Sequence, residues 1–354
     1  MFKGAQRTKN VKPGWIIGWL PTRAGFFPKI STRLSREDIL GGWRVRWGFS
    51  RMNYQVSPGL YGVGKPGADS PVLVTANYKL SFDSLRKHLE GINAWIVVLD
   101  TKGVNVWCSA GKGTFGTEEL VGKIESLNLS ALVRHRNVIL PQLAAPGVAA
   151  HVVTRTTGFK VLYGPVRAAD LPMYLKNGCQ ADRQMRTVTF TTMERLAVIP
   201  VEVILSWKIA LAALAYHLLA QYLSGHLSSW STMTQFLPYL GAILAGCVLT
   251  PMLLPWIPGP SLAWKGWLVG ISATLAFALI NEHPWLVNTT YLLILPAISA
   301  FLAFNFTGCT TYTSLSGVKK EMRIALPLII FSAALGIVVR FVYMYVWRTP
   351  WQTL

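Results

Sequence analysis

Between residues 200 and 346 the chain holds five apolar stretches, each close to the roughly 20 residues that cross the hydrocarbon core of a bilayer. They cover about 200–223, 234–257, 262–281, 285–305 and 324–346. That spacing predicts an all-α membrane domain of five transmembrane helices, with the two ends of the chain on opposite sides. The loops at 224–233 and 281–285 contain no Lys or Arg, whereas the loops after the second and fourth stretches carry Lys265, Lys319, Lys320 and Arg323. Cytoplasmic loops are the ones enriched in Lys and Arg, so those two loops and the N-terminal half are expected in the cytoplasm and the C-terminus outside.

Charge within the apolar stretches is sparse. Glu202 and Lys208 lie near the start of the first, and Arg340 near the end of the last. Ionisable groups in lipid point to function by default, but these sit where side chains can reach an interface, which favours anchoring over conduction. Cys247 suits a small packing position, and Cys309 sits in a Thr-rich loop.

The other half is different in kind. Of the 34 Lys and Arg, 27 fall in residues 1–196 with 12 Asp and Glu, leaving 7 and 3 for the remainder. A basic region beside an anchor is matched most simply by anionic lipid headgroups rather than by nucleic acid. The opening MFKGAQRTKNVKPGWIIGWL has only a short apolar run after Pro13 and makes a poor secretory signal. The cysteines, Cys108, Cys179, Cys247 and Cys309, have no C-x-x-C spacing for zinc, an iron-sulfur cluster or a dithiol, so any electrons come from elsewhere.

Within the head, β-branched runs at 72–76 and 94–99 flank a segment in which Phe82, Leu85 and Leu89 recur at helical spacing. A helix is expected from Thr117, whose hydroxyl caps it ahead of Glu118 and Glu119, with Leu120, Val121, Ile124 and Leu127 as its apolar face. Further strands are expected at 137–140 and 160–163. This alternation predicts a parallel sheet covered by helices, with ligands beyond the strand ends at 75–78, 100–113, 141–147 and 164–167. Residues 1–60 read as a basic extended arm, 61–176 as the α/β domain, 177–199 as a polar linker and 200–348 as the membrane domain. Trp43, Arg44, Arg46 and Trp47 in the arm suit a membrane interface.

One segment, Asn105-Val106-Trp107-Cys108-Ser109-Ala110-Gly111-Lys112-Gly113, sets a cysteine among small residues just past a strand end, where a large planar ligand could approach the backbone. A packed core cysteine is the plain alternative. None of His88, His135 and His151 is its neighbour in sequence, and the glycines form no dinucleotide fingerprint because the acidic partner is missing.

NVWCSAGK resembles the cap-helix motif of the corrinoid protein family that methylates mercury in anaerobic microbes, often written with Ala where this chain has Ser109. VTANYKLSFDSLRK, VILPQLAAPGVAAH and TGFKVLYGPVRAADLP are similar to the corrinoid-binding domain that this family shares with the corrinoid iron-sulfur protein of acetyl-CoA synthesis. NFTGCTTYTSLSGVKKE resembles the family's membrane region. The resemblance runs over about 55–350 and implies a Rossmann-like α/β corrinoid-binding head on five spans. It implies that Cys108 is the lower axial ligand of cobalt, with Asn105, Val106, Trp107, Ser109, Ala110, Gly111 and Lys112 as the cap. Thr75 would face the lower side of the ring, and Asn77, Tyr78, Gln142, Gly147, Gly164 and Pro165 would contact the ring or its nucleotide tail. The Asp-x-His-x-x-Gly signature of histidine-ligated cobalamin domains is absent.

The implied activity is a corrinoid-dependent methyltransferase that gives methylmercury from Hg(II). Mercuric ion must receive the methyl with electron density, and an electron-donating thiolate opposite the methyl favours that transfer. The cobalt must then be reduced before it accepts a methyl group from a donor such as methyltetrahydrofolate. The implied reductant is a ferredoxin-like partner with two [4Fe-4S] clusters, which a basic head could dock if it is acidic. Three other readings stay open: a membrane-anchored methyl carrier of one-carbon and acetyl-CoA metabolism, a non-catalytic corrinoid-binding protein, and a transporter with a regulatory head.

Overall fold

The structure is a computed structural model, and it describes residues 13–224, 229–306 and 315–348. Cys309 and most of the Thr-rich loop lie outside the described residues. The chain divides into two compact units, one built on Phe49–Val188 with the chain up to Val45, the other on Arg46–Gly48 with the chain from Thr189.

The first unit is a mixed α/β domain. Its strands are β1 (Ile16–Thr22), β2 (Gly25–Ile30), β3 (Gly59–Val63), β4 (Val72–Ala76), β5 (Ala94–Leu99), β6 (Asn137–Leu140) and β7 (Lys160–Tyr163), in the sheet order β1-β2-β3-β5-β4-β6-β7. Its helices are α1 (Arg36–Arg46), α2 (Lys79–Arg86), α3 (Val106–Lys112), α4 (Thr117–Ser126), α5 (Leu129–Leu132), α6 (Ala150–Thr157) and α7 (Leu171–Lys176). β5, β4, β6 and β7 are parallel, as the strand and helix alternation requires. β4 and β5 are buried along their whole length because both faces are covered. Val72, Val74, Ala76, Trp95, Val97 and Leu99 pack on one side with α3, α4 and α6. Leu73, Ile96 and Val98 pack on the other with Phe82 and Leu85 of α2 and Leu171 and Tyr174 of α7.

The sheet is wider than a purely parallel reading allows. β3 runs antiparallel to β5, with Leu60 opposite Val97 and Gly62 opposite Trp95, and the β1–β2 hairpin adds to β3. From Ile16 onward the segment read as an extended arm therefore forms two strands and a helix. Its composition misled because Gly and Pro sit at turns and on the outer strands, where missing ladder bonds cost little. A buried ion network fastens it down. Lys79 Nζ donates to Asp38 and Asp83 at 2.6 Å, and Arg86 donates to the same two carboxylates at 2.7 Å and to the backbone oxygens of Ser31 and Arg33.

Two further expectations change. α4 starts near Thr117, but the Thr117 hydroxyl does not cap it: it accepts from the Ala149 amide at 2.8 Å, and Gly116 holds the cap position. The segment read as a linker begins as part of the domain, since Met185 is buried in its core and its backbone oxygen accepts from the Val166 amide.

The second unit is helical: α8 (Thr192–Leu196), α9 (Ile199–Leu205), α10 (Trp207–Ser224), α11 (Ser229–Leu244), a π-turn at Ala245–Leu249, α12 (Thr250–Leu253), α13 (Leu262–Ile280), α14 (Trp285–Asn305) and α15 (Leu315–Arg348). Among the described residues, four helical stretches are long and apolar enough to cross a bilayer: Met233–Leu253, Leu262–Ile280, Trp285–Asn305 and Gly317–Tyr345. The first expected span is instead a pair of helices bent by 41° between Leu205 and Trp207, and counts as a fifth only if the pair is one span. At that break the Ser206 hydroxyl bonds the Val203 carbonyl, the kind of side-chain competition that bends helices. α13 and α14 approach closely through small residues. A Cβ on Gly266 would lie 3.0 Å from Ala300 Cα, and one on Gly270 would lie 2.9 Å from Pro296 Cα. Lys265, expected in a loop, is buried in α13 and donates to the Leu254 carbonyl at 2.7 Å. Cys247 is fully buried against Ile243 and Leu302.

Candidate corrinoid site

After β4 the chain passes to β5 on one side, then returns through α3, α4 and α5 to β6 on the other side of β4. The order thus reverses between β4 and β6, the position where open α/β sheets bind ligands. The two strands share one registered pair, Leu73 with Ile139, and part beyond it. A hollow of about 360 Å³ opens there, floored by Leu73, Val74, Thr75, Ile139 and Leu140 and walled by α2, Pro141 and the turn after β7. Asn105, Val106 and Trp107 at the start of α3 roof it.

Local chemistry explains why this roof is a helix. The Asn105 side-chain oxygen accepts from the Cys108 amide at 2.9 Å as an N-cap. The Ser109 hydroxyl donates to the Asn105 carbonyl at 2.6 Å, and Gly113 ends the helix with φ +82°. The loop leading into α3 is tied to the end of β4: the Asn77 side-chain oxygen accepts from the Thr101 amide and hydroxyl and from the Gly103 amide, and its nitrogen donates to Asp100. Hydrogen bonds from the Lys102 ammonium and amide hold the Asp100 carboxyl below its usual range, so acidification loosens this corner only as pH falls through that lowered pKa.

Of the residues expected at the site, the structure brings Thr75, Asn105, Val106, Trp107, Gly164 and Pro165 to the hollow. The others expected to bind do not line it. Asn77 and Ser109 brace the loop and helix, and Ala110 lies on the buried side of α3. Tyr78 is buried at the N-cap of α2, while Gly111 and Lys112 are exposed at the far end of α3. Gln142 accepts from Arg186 at 2.8 Å. Cys108 is half-buried on α3 one step past Trp107, and it is not among the residues lining the hollow. Sequence reasoning missed Leu80, Ser81 and Ser84, the α2 wall, whose polar and apolar alternation reads as an ordinary helix. Cys179 lies away from the hollow, packed beside the core next to α7, where burial pushes its thiol pKa up.

Gly147 decides how closely α3 meets the loop after β6. A Cβ there would collide with the Phe115 carbonyl oxygen and sit 2.9 Å from Ala110 Cα. Gly147→Ala should therefore push α3 outward, destabilise the full chain by about 1–3 kcal/mol in denaturant titration, and weaken ligand binding at the hollow.

These features define an α/β domain with its ligand crevice at the topological switch point and a short, cysteine-bearing helix above it. Residues 49–175 match the model of the family described as CO dehydrogenase/acetyl-CoA synthase delta subunit. Over this region the chain is 34% identical across 128 residues to the acetyl-CoA decarbonylase/synthase complex subunit gamma of Archaeoglobus fulgidus, covering 36% of this chain and 27% of that protein. The corresponding subunit of Methanopyrus kandleri is 36% identical over 124 residues, covering 34% and 26%. The chain spans about a quarter of the length of these curated relatives. The matched family and these relatives support a corrinoid-binding head with a corrinoid as its cofactor. The residues present fit such a group: Thr75 puts a polar side chain in the lining of the hollow, and the rest of the floor is apolar.

Proposed function

We propose that this chain is a membrane-anchored corrinoid methyltransferase whose methyl acceptor is Hg(II), giving methylmercury. The observation that carries the reading is the helix bearing Cys108 set as the roof of the switch-point hollow, with Thr75 on its floor. A bound corrinoid supplies a cobalt centre that can carry a methyl group. In this reading Thr75 offers a hydroxyl at the floor, Trp107 shields the roof from water, and Asn105 and Ser109 keep α3 helical so that Cys108 is held beside the hollow. Cys108, set beside the hollow rather than in its lining, would supply a soft, electron-donating sulfur ligand, suited to an acceptor that takes the methyl with its electron pair. The helical unit anchors the head, and the exposed Lys319, Lys320 and Arg323 favour a cytoplasmic head. A separate ferredoxin-like protein with two [4Fe-4S] clusters would return electrons, and a methylated folate would resupply the methyl group.

The relatives named above favour a second reading, a corrinoid methyl carrier of one-carbon metabolism that hands its methyl to a metabolic acceptor. One experiment separates the two. The full chain in detergent, loaded anaerobically with methylated corrinoid, is mixed with Hg(II), and methylmercury is measured. Methylmercury in amounts matching the corrinoid consumed is expected. Corrinoid binding and methyl exchange with methylated folate, but no methylmercury, would overturn the first reading and leave the second.

A further inference from the structure

In the helical unit Arg340 places a charge on the otherwise apolar stretch of α15. Its guanidinium donates to the Gln235 side-chain oxygen at 3.1 Å and stands 5.5 Å from the Tyr343 ring centroid. Both neighbours are neutral, and no ion pair among the described residues involves Arg340. Charges inside membrane bundles are ordinarily paired.

Three further groups converge on the same place. His217 of α10 is only 2% exposed, and neither of its ring nitrogens makes a hydrogen bond among the described residues. The buried hydroxyls of Tyr216 and Tyr239 are likewise unpartnered there. The His217 ring meets the Tyr239 ring edge-on at 4.7 Å and the Tyr216 ring at 5.3 Å, and Tyr239 lies 6.2 Å from Tyr291 of α14. Gln235, which Arg340 bonds, lies one helical turn before Tyr239 on α11, and Tyr343, beside its guanidinium, packs against the same cluster as Tyr216, Tyr239 and Tyr291. Unsatisfied buried polar groups are rare in folded proteins, and several at one spot beside an unpaired cation call for a ligand.

The chemistry of the cluster selects that ligand. It offers a guanidinium, two phenolic hydroxyls and an imidazole N–H, and no acidic side chain. We propose that Arg340, Tyr216, Tyr239 and His217 form an anion-binding site inside the helical unit. The anion is a small inorganic one or the phosphate of a lipid headgroup, which present the same acceptor chemistry. The site belongs to the helical unit alone and rests only on that unit being membrane-embedded. Resistance of the chain to alkaline carbonate extraction checks that premise separately.

Chloride is the probe. The ³⁵Cl resonance is recorded with the full chain in neutral-detergent micelles, and the saturable excess linewidth is compared with that of Arg340→Gln and Tyr239→Phe. Other cations on this basic chain contribute equally to all three, so the difference isolates the site. Losing one charge-assisted hydrogen bond is expected to weaken chloride binding about tenfold in Arg340→Gln, with a smaller loss in Tyr239→Phe. Tyr239→Phe keeps the ring packing and is read alone if Arg340→Gln does not fold. Loss of the Arg340-dependent linewidth on adding phosphatidylglycerol assigns the site to a headgroup, and its persistence assigns it to a free anion. Unchanged linewidth in the folded variants would overturn the proposal.

Discussion

On the proposed mercury-methylating reading, Cys108→Ala should cut methyl transfer to Hg(II) by about 100-fold or more while the full chain stays folded. The size follows from the ligand role that this reading gives Cys108, since even the outer partners of ligands are worth roughly 10–100-fold. The fold should survive because Asn105 caps α3 through the Cys108 backbone amide, which alanine retains. The side chain is only half-buried, so little packing is lost. Anaerobic absorption spectra of the corrinoid-loaded chain check the cause. A sulfur-to-cobalt signature is expected in the parent and not in Cys108→Ala. Identical spectra would leave the corrinoid in place and remove the cysteine from the mechanism. Cys108→Ser provides a graded control, because a hydroxyl keeps the size and loses the soft donor.

The second large effect is expected far from the hollow, at Arg86. This side chain is fully buried and bonds Asp83, Asp38 and the backbone oxygens of Ser31 and Arg33. Arg86→Met keeps much of the volume but leaves two carboxylates facing Lys79 alone. Breaking one partner of a buried ion network costs about 3–5 kcal/mol, measurable as a lower midpoint in urea unfolding of the full chain. The chain from Ser31 through α1 should exchange amide hydrogens faster, because Arg86 is its main tie to α2. The same network sets an acid limit. Burial alone would raise the Asp38 pKa, but the Lys79 hydrogen bond, the Ser35 amide and Arg86 together hold it well below the usual carboxylate range. A carboxyl lowered on folding stabilises the fold above its unfolded pKa, and that contribution fades as pH falls through the folded pKa. Arg86→Met should therefore begin to unfold at a higher pH than the parent.

Legibility of the site differed residue by residue. Asn105, Val106 and Trp107 stood out as a segment just past a strand end, and the position of Thr75 followed from β4 as a run of β-branched residues. Gly147 carried no local signal, since its role is to admit Ala110 and the Phe115 carbonyl from more than thirty positions earlier. Ser81 and Ser84 likewise matter only because the β4–β6 gap lies beneath them. The cap role given to Thr117 failed for a related reason: its hydroxyl found the Ala149 amide across the fold rather than its own helix.

Local patterning in the chain set the division into a basic α/β head and an apolar helical half and the parallel order of strands separated by helices. These follow from periodicity and hydropathy, which are properties of short windows of chain. Long-range packing settled that β1 and β2 join the sheet, that Lys79 and Arg86 lock α1 against α2, that the hollow opens where β4 and β6 part, and that Arg340 meets Gln235 and Tyr343. Each depends on partners distant in sequence, and the pairing free energy that selects them exists only once the chain has brought them together.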